Sequence, residues 1–145
     1  MAANSTGTSA GTGTTPLPKK LGIKPGHRVA LLNAPGGFAA TLAPLPEAVE
    51  VVEALDSDSF DVILWFGTER AGLERIVKDV RAVLEPAGGL WIGWPKRASG
   101  IPTEVTDDIV REVALPTGLV DNKICAIDAA WSGIRLVVRR ELRGL

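Results

Sequence analysis

Apolar positions along the chain follow the pattern of strands that alternate with helices. Residues 28–33 contain four consecutive apolar side chains, and residues 61–66 form a second run that is apolar after Asp61. A third run, 90–94, ends at Pro95. Strands that are apolar on both faces are typical of the centre of a parallel sheet. These three segments therefore predict the central strands of an α/β protein.

Two later segments have the period of an amphipathic helix. In the first, Thr68 is the predicted N-cap, and Pro86 followed by Gly88 and Gly89 is expected to end the helix. A second helix is predicted from about Thr106, because apolar residues recur at helical spacing after it. The apolar stripe of the first helix comprises Leu73, Ile76, Val77, Val80, Val83 and Leu84.

The remaining segments complete the predicted sheet. Residues 46–55 fit either a helical stripe or a short strand, and a strand near 49–53 is the interpretation we adopt. Two further strands are predicted at 119–127 and 134–140, and their short connector favours an antiparallel hairpin at one edge. The predicted fold class is therefore a three-layer, Rossmann-like α/β domain with a mostly parallel sheet and a C-terminal antiparallel hairpin.

Composition divides the chain into a tail and one domain. Residues 2–15 are only Ala, Asn, Ser, Thr and Gly, and such a segment buries too little surface to offset the entropy of ordering. We predict a disordered tail at 1–16 and a single domain at 17–145. We find neither a secretory signal nor an apolar run of ~18 residues. A cytoplasmic protein without membrane contact is expected.

Charge and cysteine content narrow the chemistry. A net charge of −1 provides no domain-wide basic field for phosphates, so nucleic acid is not an expected partner. One cysteine, Cys125, and one histidine, His27, cannot form an internal disulfide or a zinc site of the common Cys and His types. No metal is expected. Cys125 is interpreted as a core-facing thiol and His27 as structural.

Two loops are candidate ligand sites. The first central strand ends in Asn33, Ala34, Pro35, Gly36 and Gly37, ahead of a short predicted helix that ends at Leu42. Glycines at such a turn let backbone N–H groups approach a ligand, although a tight turn that needs a positive φ explains them equally well. The loop 95–100 follows another central strand, at the sheet edge where ligands bind in open α/β proteins.

The hairpin adds polar candidates. Asp121 and Lys123 are two residues apart, so we expect them on one face, either orienting a ligand or forming an exposed ion pair worth about 0 to 1 kcal/mol. Trp131 fits ligand stacking, but edge packing in the core is favoured. The complete set of candidate ligand-binding residues is Asn33, Pro35, Gly36, Gly37, Lys96, Ser99, Asp121, Lys123, Asp128, Trp131 and Ser132.

Three strings resemble parts of the class I S-adenosylmethionine-dependent methyltransferases. These are IKPGHRVALLN, FDVILWF and IVKDVRAVLEPAGGLWI, which resemble that family's first strand, its fourth strand, and the following helix, turn and fifth strand. The resemblance implies a methyltransferase-like fold, with S-adenosylmethionine as a possible cofactor.

The cofactor motif of that family is absent. Its first strand typically ends in an acidic residue and a Gly-x-Gly-x-Gly loop, where this chain has residues 33–37. Glu53 or Glu50 could stand in for the ribose-binding acid. Residues 53–61 are too few for a full parallel crossover, so at least one helix and one strand of the family's fold should be missing.

A closer resemblance covers residues 17–143. The strings LGIKPGHRVALLNAPGGF, LWIGWPKRASG and GLVDNKICAIDAAWSGIRLVVRRELR are similar to a small, mainly actinobacterial family of bacterial proteins of unknown function. Membership implies no established activity, substrate or cofactor.

These observations favour a non-catalytic module that has a small-molecule-binding or regulatory role. Its ligand is expected to be small and polar or anionic, near the turn 35–37 and Lys96. One alternative is a truncated S-adenosylmethionine-dependent methyltransferase. Another is a protein–protein interaction module, which could form a homodimer through the hairpin edge.

Overall fold

The computed structural model describes residues 15–143, which form one six-stranded sheet with helices on both faces. The strands are β1 Arg28–Leu32, β2 Glu50–Val52, β3 Phe60–Phe66, β4 Leu84–Pro95, β5 Leu119–Ala126 and β6 Trp131–Val138. The helices are α1 Leu17–Lys20, α2 Phe38–Leu42, α3 Arg70–Val80 and α4 Asp107–Ala114. The strand order is β2-β1-β3-β4-β6-β5. The predicted fold class is confirmed.

The central strands are buried because their apolar residues face helices on both sides. Val29 and Ala30 in β1 are both 0% exposed, although consecutive side chains of a strand point to opposite faces. β1 pairs in parallel with β2 on one side and with β3 on the other, and β3 pairs in parallel with β4. The unbroken apolar runs thus identified the parallel centre of the sheet correctly.

Two apolar clusters fill the layers on either side of the sheet. The α3/α4 core contains Leu73 and Val110 from the helices together with Ile63 from β3. The α1/α2 core contains Leu42 and Trp91, and is the smaller cluster. The Trp91 Nε1–H donates to the Leu21 carbonyl oxygen at 2.9 Å, so this buried indole leaves no polar group unsatisfied.

The ambiguous segment 46–55 contains a strand, as interpreted, although β2 covers only Glu50–Val52. β2 pairs with the first half of β1, with Val51 opposite Val29. The chain therefore has only a short distance to return before it starts β3 on the far side of β1. Residues 53–59 make this connection without a helix, and Leu55 packs against the α3/α4 core.

The bounds of α3 differ from the prediction. Its N-cap is Glu69, which makes no side-chain capping bond, whereas Thr68 was expected to cap it. The helix ends at Val80, and Leu84 starts β4 opposite Phe60. Leu84 fitted the apolar stripe of the predicted helix by its spacing alone. It is buried because the start of β4 packs against the same core as α3. The pairing then shifts between Phe60 and Val62, which accommodates the turn-forming residues 85–88 within β4.

The C-terminal hairpin lies at the expected sheet edge. β5 and β6 are antiparallel, and β6 lies between β4 and β5. β6 begins at Trp131 rather than Ile134, because a tight turn precedes it. Asp128 Oδ1 accepts from the Ala130 and Trp131 N–H groups at 2.8 and 2.9 Å, and these two hydrogen bonds stabilise the turn.

The predicted tail, 1–16, lies outside the described residues except for its last two. α1 begins at Leu17, where the domain was expected to begin. No helix within residues 15–143 is both long enough and apolar enough to cross a membrane.

The cap of α4 gives a test of the fold. Thr106 Oγ1 accepts from the Ile109 N–H at 3.3 Å, whereas α3 has no side-chain cap. We expect Thr106→Ala to lower the free energy of unfolding by about 0.5 to 2 kcal/mol. The matched variant Thr68→Ala should change it by less than about 0.5 kcal/mol. Urea unfolding of both variants measures the difference, and equal losses would contradict this assignment of the caps.

Candidate functional site

A pocket lies where the chain diverges at the carboxyl edge of the sheet. β1 is followed by β2 on one side, and β3 is followed by β4 on the other, so the gap between β1 and β3 is the topological switch point. A cavity of about 370 Å³ lies there, which we call the switch-point pocket. Its lining residues are Asn33, Trp65, Gly67, Thr68, Glu69, Gly72 and Arg75.

Trp65 forms the aromatic wall of this pocket. Its indole lies against two glycines: a Cβ on Gly67 would be 2.2 Å from Trp65 Cη2, and one on Gly72 would be 3.1 Å from Cζ2. Contacts below 3.0 Å require atoms to move, so Gly67 is the residue that admits the ring. The half-buried indole also packs against the α3/α4 core, which fixes its orientation.

Asn33 joins the ends of β1 and β3. Its backbone has a φ of +56°, in the left-handed region that Asn tolerates better than most residues. Its Nδ2–H donates to the Phe66 carbonyl oxygen at 2.6 Å. A carboxylate could not make this bond because it has no proton to donate. The amide at this position, where the methyltransferases have an acid, is therefore explained by a structural role.

Arg75 supplies positive charge to the pocket. Within residues 15–143, no carboxylate oxygen lies within 4.0 Å of its guanidinium, although Glu69 also lines the cavity. A guanidinium beside an indole is suited to a ligand that combines an anionic group with a planar one. Sequence reasoning missed both Trp65 and Arg75. The glycine pair 67 and 72 around a tryptophan at a strand end was the pattern that could have indicated them.

Five predicted site residues meet at the ends of β4 and β6. Pro95 pairs with Trp131, and Trp94 pairs with Ser132. The Lys96 N–H donates to the Ala130 carbonyl oxygen at 2.8 Å. Ser99 Oγ donates to the Lys96 carbonyl oxygen at 2.7 Å, so that hydroxyl holds its own loop. Asp128 supports the turn before β6. The members of this group are Lys96, Ser99, Asp128, Trp131 and Ser132.

The loop after β4 borders a second cavity, of about 470 Å³. The basic residue that lines it is Arg97, not the predicted Lys96. Trp94, Ile101 and Val105 are among its apolar lining residues. This cavity is next to the switch-point pocket in strand order, since β4 follows β3 in the sheet.

The turn 35–37 leads into a packed aromatic region that includes Trp131. Gly37 has a φ of +81°, and the Phe38 N–H donates to the Pro35 carbonyl oxygen at 3.1 Å, as in a tight turn. The Trp131 ring meets Phe66 edge-on at 5.3 Å between centroids, and Phe66 meets Phe38 at 4.8 Å. The favoured interpretation of Trp131, edge packing, is confirmed.

The expected pairing of Asp121 with Lys123 is wrong. The pairing register of β5 with β6 shifts between these two residues, so the two-residue period of a strand does not hold there. Asp121 Oδ2 instead accepts from Arg111 Nε at 3.2 Å, and this bond raises the pKa of the Arg111 guanidinium. Lys123 Nζ donates to the Lys20 carbonyl oxygen at 3.0 Å.

The residues that are present do not match the usual contacts of S-adenosylmethionine. Glu50 lies 3.5 Å from Arg28 at the amino end of β1, so it is not a candidate for the ribose-binding acid at the carboxyl edge. Glu53 follows β2, but neither it nor Gly36 and Gly37 line the switch-point pocket. Among residues 15–143, no three His, Cys, Asp or Glu side chains are grouped as metal ligands.

Residues 45–140 match DUF3052, a family that is described as proteins of unknown function. The chain belongs to DUF3052. The predicted membership in a family of unknown function is therefore confirmed, and its bacterial distribution stays a prediction. No curated protein matches the sequence.

Solved structures that are similar to this DUF3052 member have the methyltransferase fold. One is a SAM-dependent methyltransferase from Aquifex aeolicus, with 16% identity, a TM-score of 0.58, and coverage of 83% of this chain and 87% of that chain. Another is fibrillarin from Aeropyrum pernix with natively bound S-adenosyl-L-methionine, with 14% identity, a TM-score of 0.54, and coverage of 79% and 68%. A TehB-like SAM-dependent methyltransferase from Corynebacterium glutamicum has 14% identity, a TM-score of 0.53, and coverage of 79% and 82%. At these identities the likeness establishes the fold alone.

The role of Asn33 can be tested by converting it to the acid of the methyltransferases. Asn33→Asp keeps the tolerated backbone conformation but loses the donor to the Phe66 carbonyl, so we expect a loss of about 0.5 to 1.5 kcal/mol at pH 7. The folded-state pKa of the new carboxyl should be raised, because only its protonated form can donate. The loss should therefore shrink as the pH falls through that pKa.

Asn122→Asp, at an exposed position of β5, is the matched control for this change. Urea unfolding from pH 7 to pH 4 compares the two variants. Equal losses at both positions, or a loss at Asn33 that grows toward low pH relative to the control, would contradict the proposed hydrogen-bonding role.

Proposed function

We propose that this chain is a non-catalytic small-molecule-binding or regulatory module built on the methyltransferase fold, with its ligand in the switch-point pocket. The observation that carries the proposal is the presence of the Trp65 indole and the Arg75 guanidinium in one cavity at the switch point. Open α/β sheets bind ligands at that point of the fold.

The charge distribution supports an anionic or polar ligand. Two arginines away from this pocket have carboxylate partners: Arg28 pairs with Asp56, and Arg111 pairs with Asp121. At the carboxyl edge, Arg75, Lys96 and Arg97 have no carboxylate within 4.0 Å among the described residues. A cation without an internal partner is available to a ligand.

The structural roles of the polar side chains support binding rather than catalysis. The Asn33 amide is bonded to the Phe66 carbonyl, and the Ser99 hydroxyl is bonded to the Lys96 carbonyl. Asp128 holds the turn that precedes β6. Pro35 provides no N–H to the loop after β1. These groups are already used to shape the carboxyl edge.

A thermal-shift screen against nucleotides and polar metabolites tests this proposal. A ligand at 100 times its Kd stabilises the folded chain by about 2.7 kcal/mol. For any ligand found, we expect Arg75→Gln and Trp65→Leu each to weaken binding about tenfold or more, through loss of a charge-assisted bond or of aromatic contact.

Lys96→Ala serves as the matched control, because Lys96 is also a cation at the carboxyl edge but does not line the pocket. Calorimetry with the identified ligand gives the affinities. If Lys96→Ala or Gly37→Val abolished binding while Arg75→Gln did not, the ligand would lie at the predicted loops rather than in the switch-point pocket.

A truncated S-adenosylmethionine-dependent methyltransferase is the second candidate. It is favoured by the shared fold with the fibrillarin that holds S-adenosyl-L-methionine and by the acidic Glu53 directly after β2. The residues at the end of β1 do not support it, since an amide and a proline replace the acid and a glycine.

Calorimetry with S-adenosylmethionine and S-adenosylhomocysteine separates the two candidates. Our proposal expects no heat of binding from either compound at millimolar concentration. Submicromolar to micromolar binding that Glu53→Gln weakens about tenfold would instead favour the methyltransferase, because that carboxylate would bind the ribose hydroxyls. Glu47→Gln, another exposed acid of the same region, is the control.

An interaction module that dimerises through the hairpin has one supporting feature. Ile124, on the edge strand β5, is 52% exposed. Single exposed apolar side chains are common on monomeric proteins. The exposure of Ile124 is therefore weaker support for dimerisation than the switch-point pocket is for ligand binding.

A further inference from the structure

A second polar cavity lies at the opposite, amino edge of the sheet. It has a volume of about 200 Å³, and we call it the amino-edge cavity. Lys24 and His27 line it from the turn before β1, Asp61 and Gly88 line it from β3 and β4, and Arg135 lines it from β6. Because β6 runs antiparallel to β4, Arg135 reaches the edge where the parallel strands begin.

Arg135 is the unusual residue of this cavity. Its side chain is half-buried, yet it has no hydrogen-bond acceptor within residues 15–143 and no carboxylate within 4.0 Å. Burial, and to a lesser degree the charge of Arg143, lower the pKa of the Arg135 guanidinium. A partly buried cation without a partner is costly, so this arrangement calls for an anion.

Gly89 makes room for the Arg135 guanidinium. A Cβ at position 89 would lie 2.4 Å from Arg135 Nε and 2.8 Å from Cζ. In its present position, the guanidinium occupies space next to β4 that a side chain at residue 89 would fill. A substitution at residue 89 would therefore displace the guanidinium.

Further cations and donors lie around Arg135. The His27 Nδ1 accepts from the Lys24 N–H at 3.1 Å, which places the proton of a neutral imidazole on Nε2. Lys123 is the strand partner of Arg135 across β5 and β6, but it does not line the cavity, and its Nζ donates to the Lys20 carbonyl oxygen. Asp61 is the acid of the cavity, and its Oδ2 accepts from the Arg28 N–H at 2.8 Å.

We propose that the amino-edge cavity binds a small oxyanion of the phosphate class, with the Arg135 guanidinium as its principal ligand. The Lys24 ammonium and the His27 Nε2–H are the additional donors. The cavity is smaller than the roughly 300 to 1,000 Å³ typical of pockets for drug-sized ligands, which favours a free ion or the terminal group of a small metabolite. This site is independent of the switch-point pocket.

Titration of the full chain with sodium phosphate, followed by amide NMR at constant ionic strength, tests this site. We expect saturable shifts at Gly22, His27 and Gly88, and none of this kind with sodium chloride. Arg135→Gln should weaken binding about 10- to 100-fold, because it removes a charge-assisted bond. Gly89→Ala should also weaken it, because its methyl group displaces the guanidinium while the charge is kept.

Arg139→Gln is the matched control, since Arg139 lies on the same chain segment beyond β6 and donates to the Leu115 carbonyl oxygen. Lys24→Ala, in an exposed turn, provides a variant that should fold even if Arg135→Gln does not. Glycerol 3-phosphate in place of phosphate distinguishes the sources: tighter binding indicates a metabolite's terminal group, and equal or weaker binding indicates the free ion.

Three results would overturn the proposal. The first is the absence of saturable shifts up to tens of millimolar phosphate. The second is wild-type affinity in the folded variants Lys24→Ala and Gly89→Ala. The third is a set of shifts confined to Thr68 and Arg75, which would place the anion in the switch-point pocket.

Discussion

Burial of β1 and β3 on both faces is the constraint on which the rest of the structure depends. Strands without a polar face must be covered on both sides, and their backbone groups must pair with neighbours. In β1, Val29 faces the α1/α2 core and Ala30 faces the α3/α4 core. The helices consequently lie on both sides of the sheet, and the loops collect at its two edges.

Among residues 15–143, each edge of the sheet has an arginine without a carboxylate partner. At the amino edge, Arg28 bonds to Asp56, and this bond lowers the pKa of the Asp56 carboxyl. Exposed pairs of this kind contribute little stability, because water screens them. Arg75 at the carboxyl edge and Arg135 at the amino edge lack such partners among residues 15–143. Both lie in cavities, which is why the proposed ligands at both edges are anionic.

The amino-acid sequence by itself determined the elements whose pattern is local. Continuous apolar runs identified β1, β3 and the later part of β4, and Thr106 followed by two acidic residues identified the start of α4. The short predicted connector, 128–133, identified the hairpin, although β6 begins within it at Trp131. Apolar runs and the cap of α4 are patterns of neighbouring residues, so the chain order was sufficient to predict them, whereas the cap of α3 was predicted at Thr68 and lies at Glu69.

Only the tertiary structure decided where side chains from distant segments meet. Leu84 belongs to β4 because it pairs with Phe60, and a shift in strand register separates Asp121 from Lys123. Trp65 and Arg75 line the same pocket because α3 folds back on the end of β3. Strand register and helix placement depend on packing between residues that are far apart in the sequence. For that reason the fold class and the place of Asn33 at the switch-point pocket were predictable, while the pairing of charges and the other lining residues of that pocket, among them Trp65 and Arg75, were not.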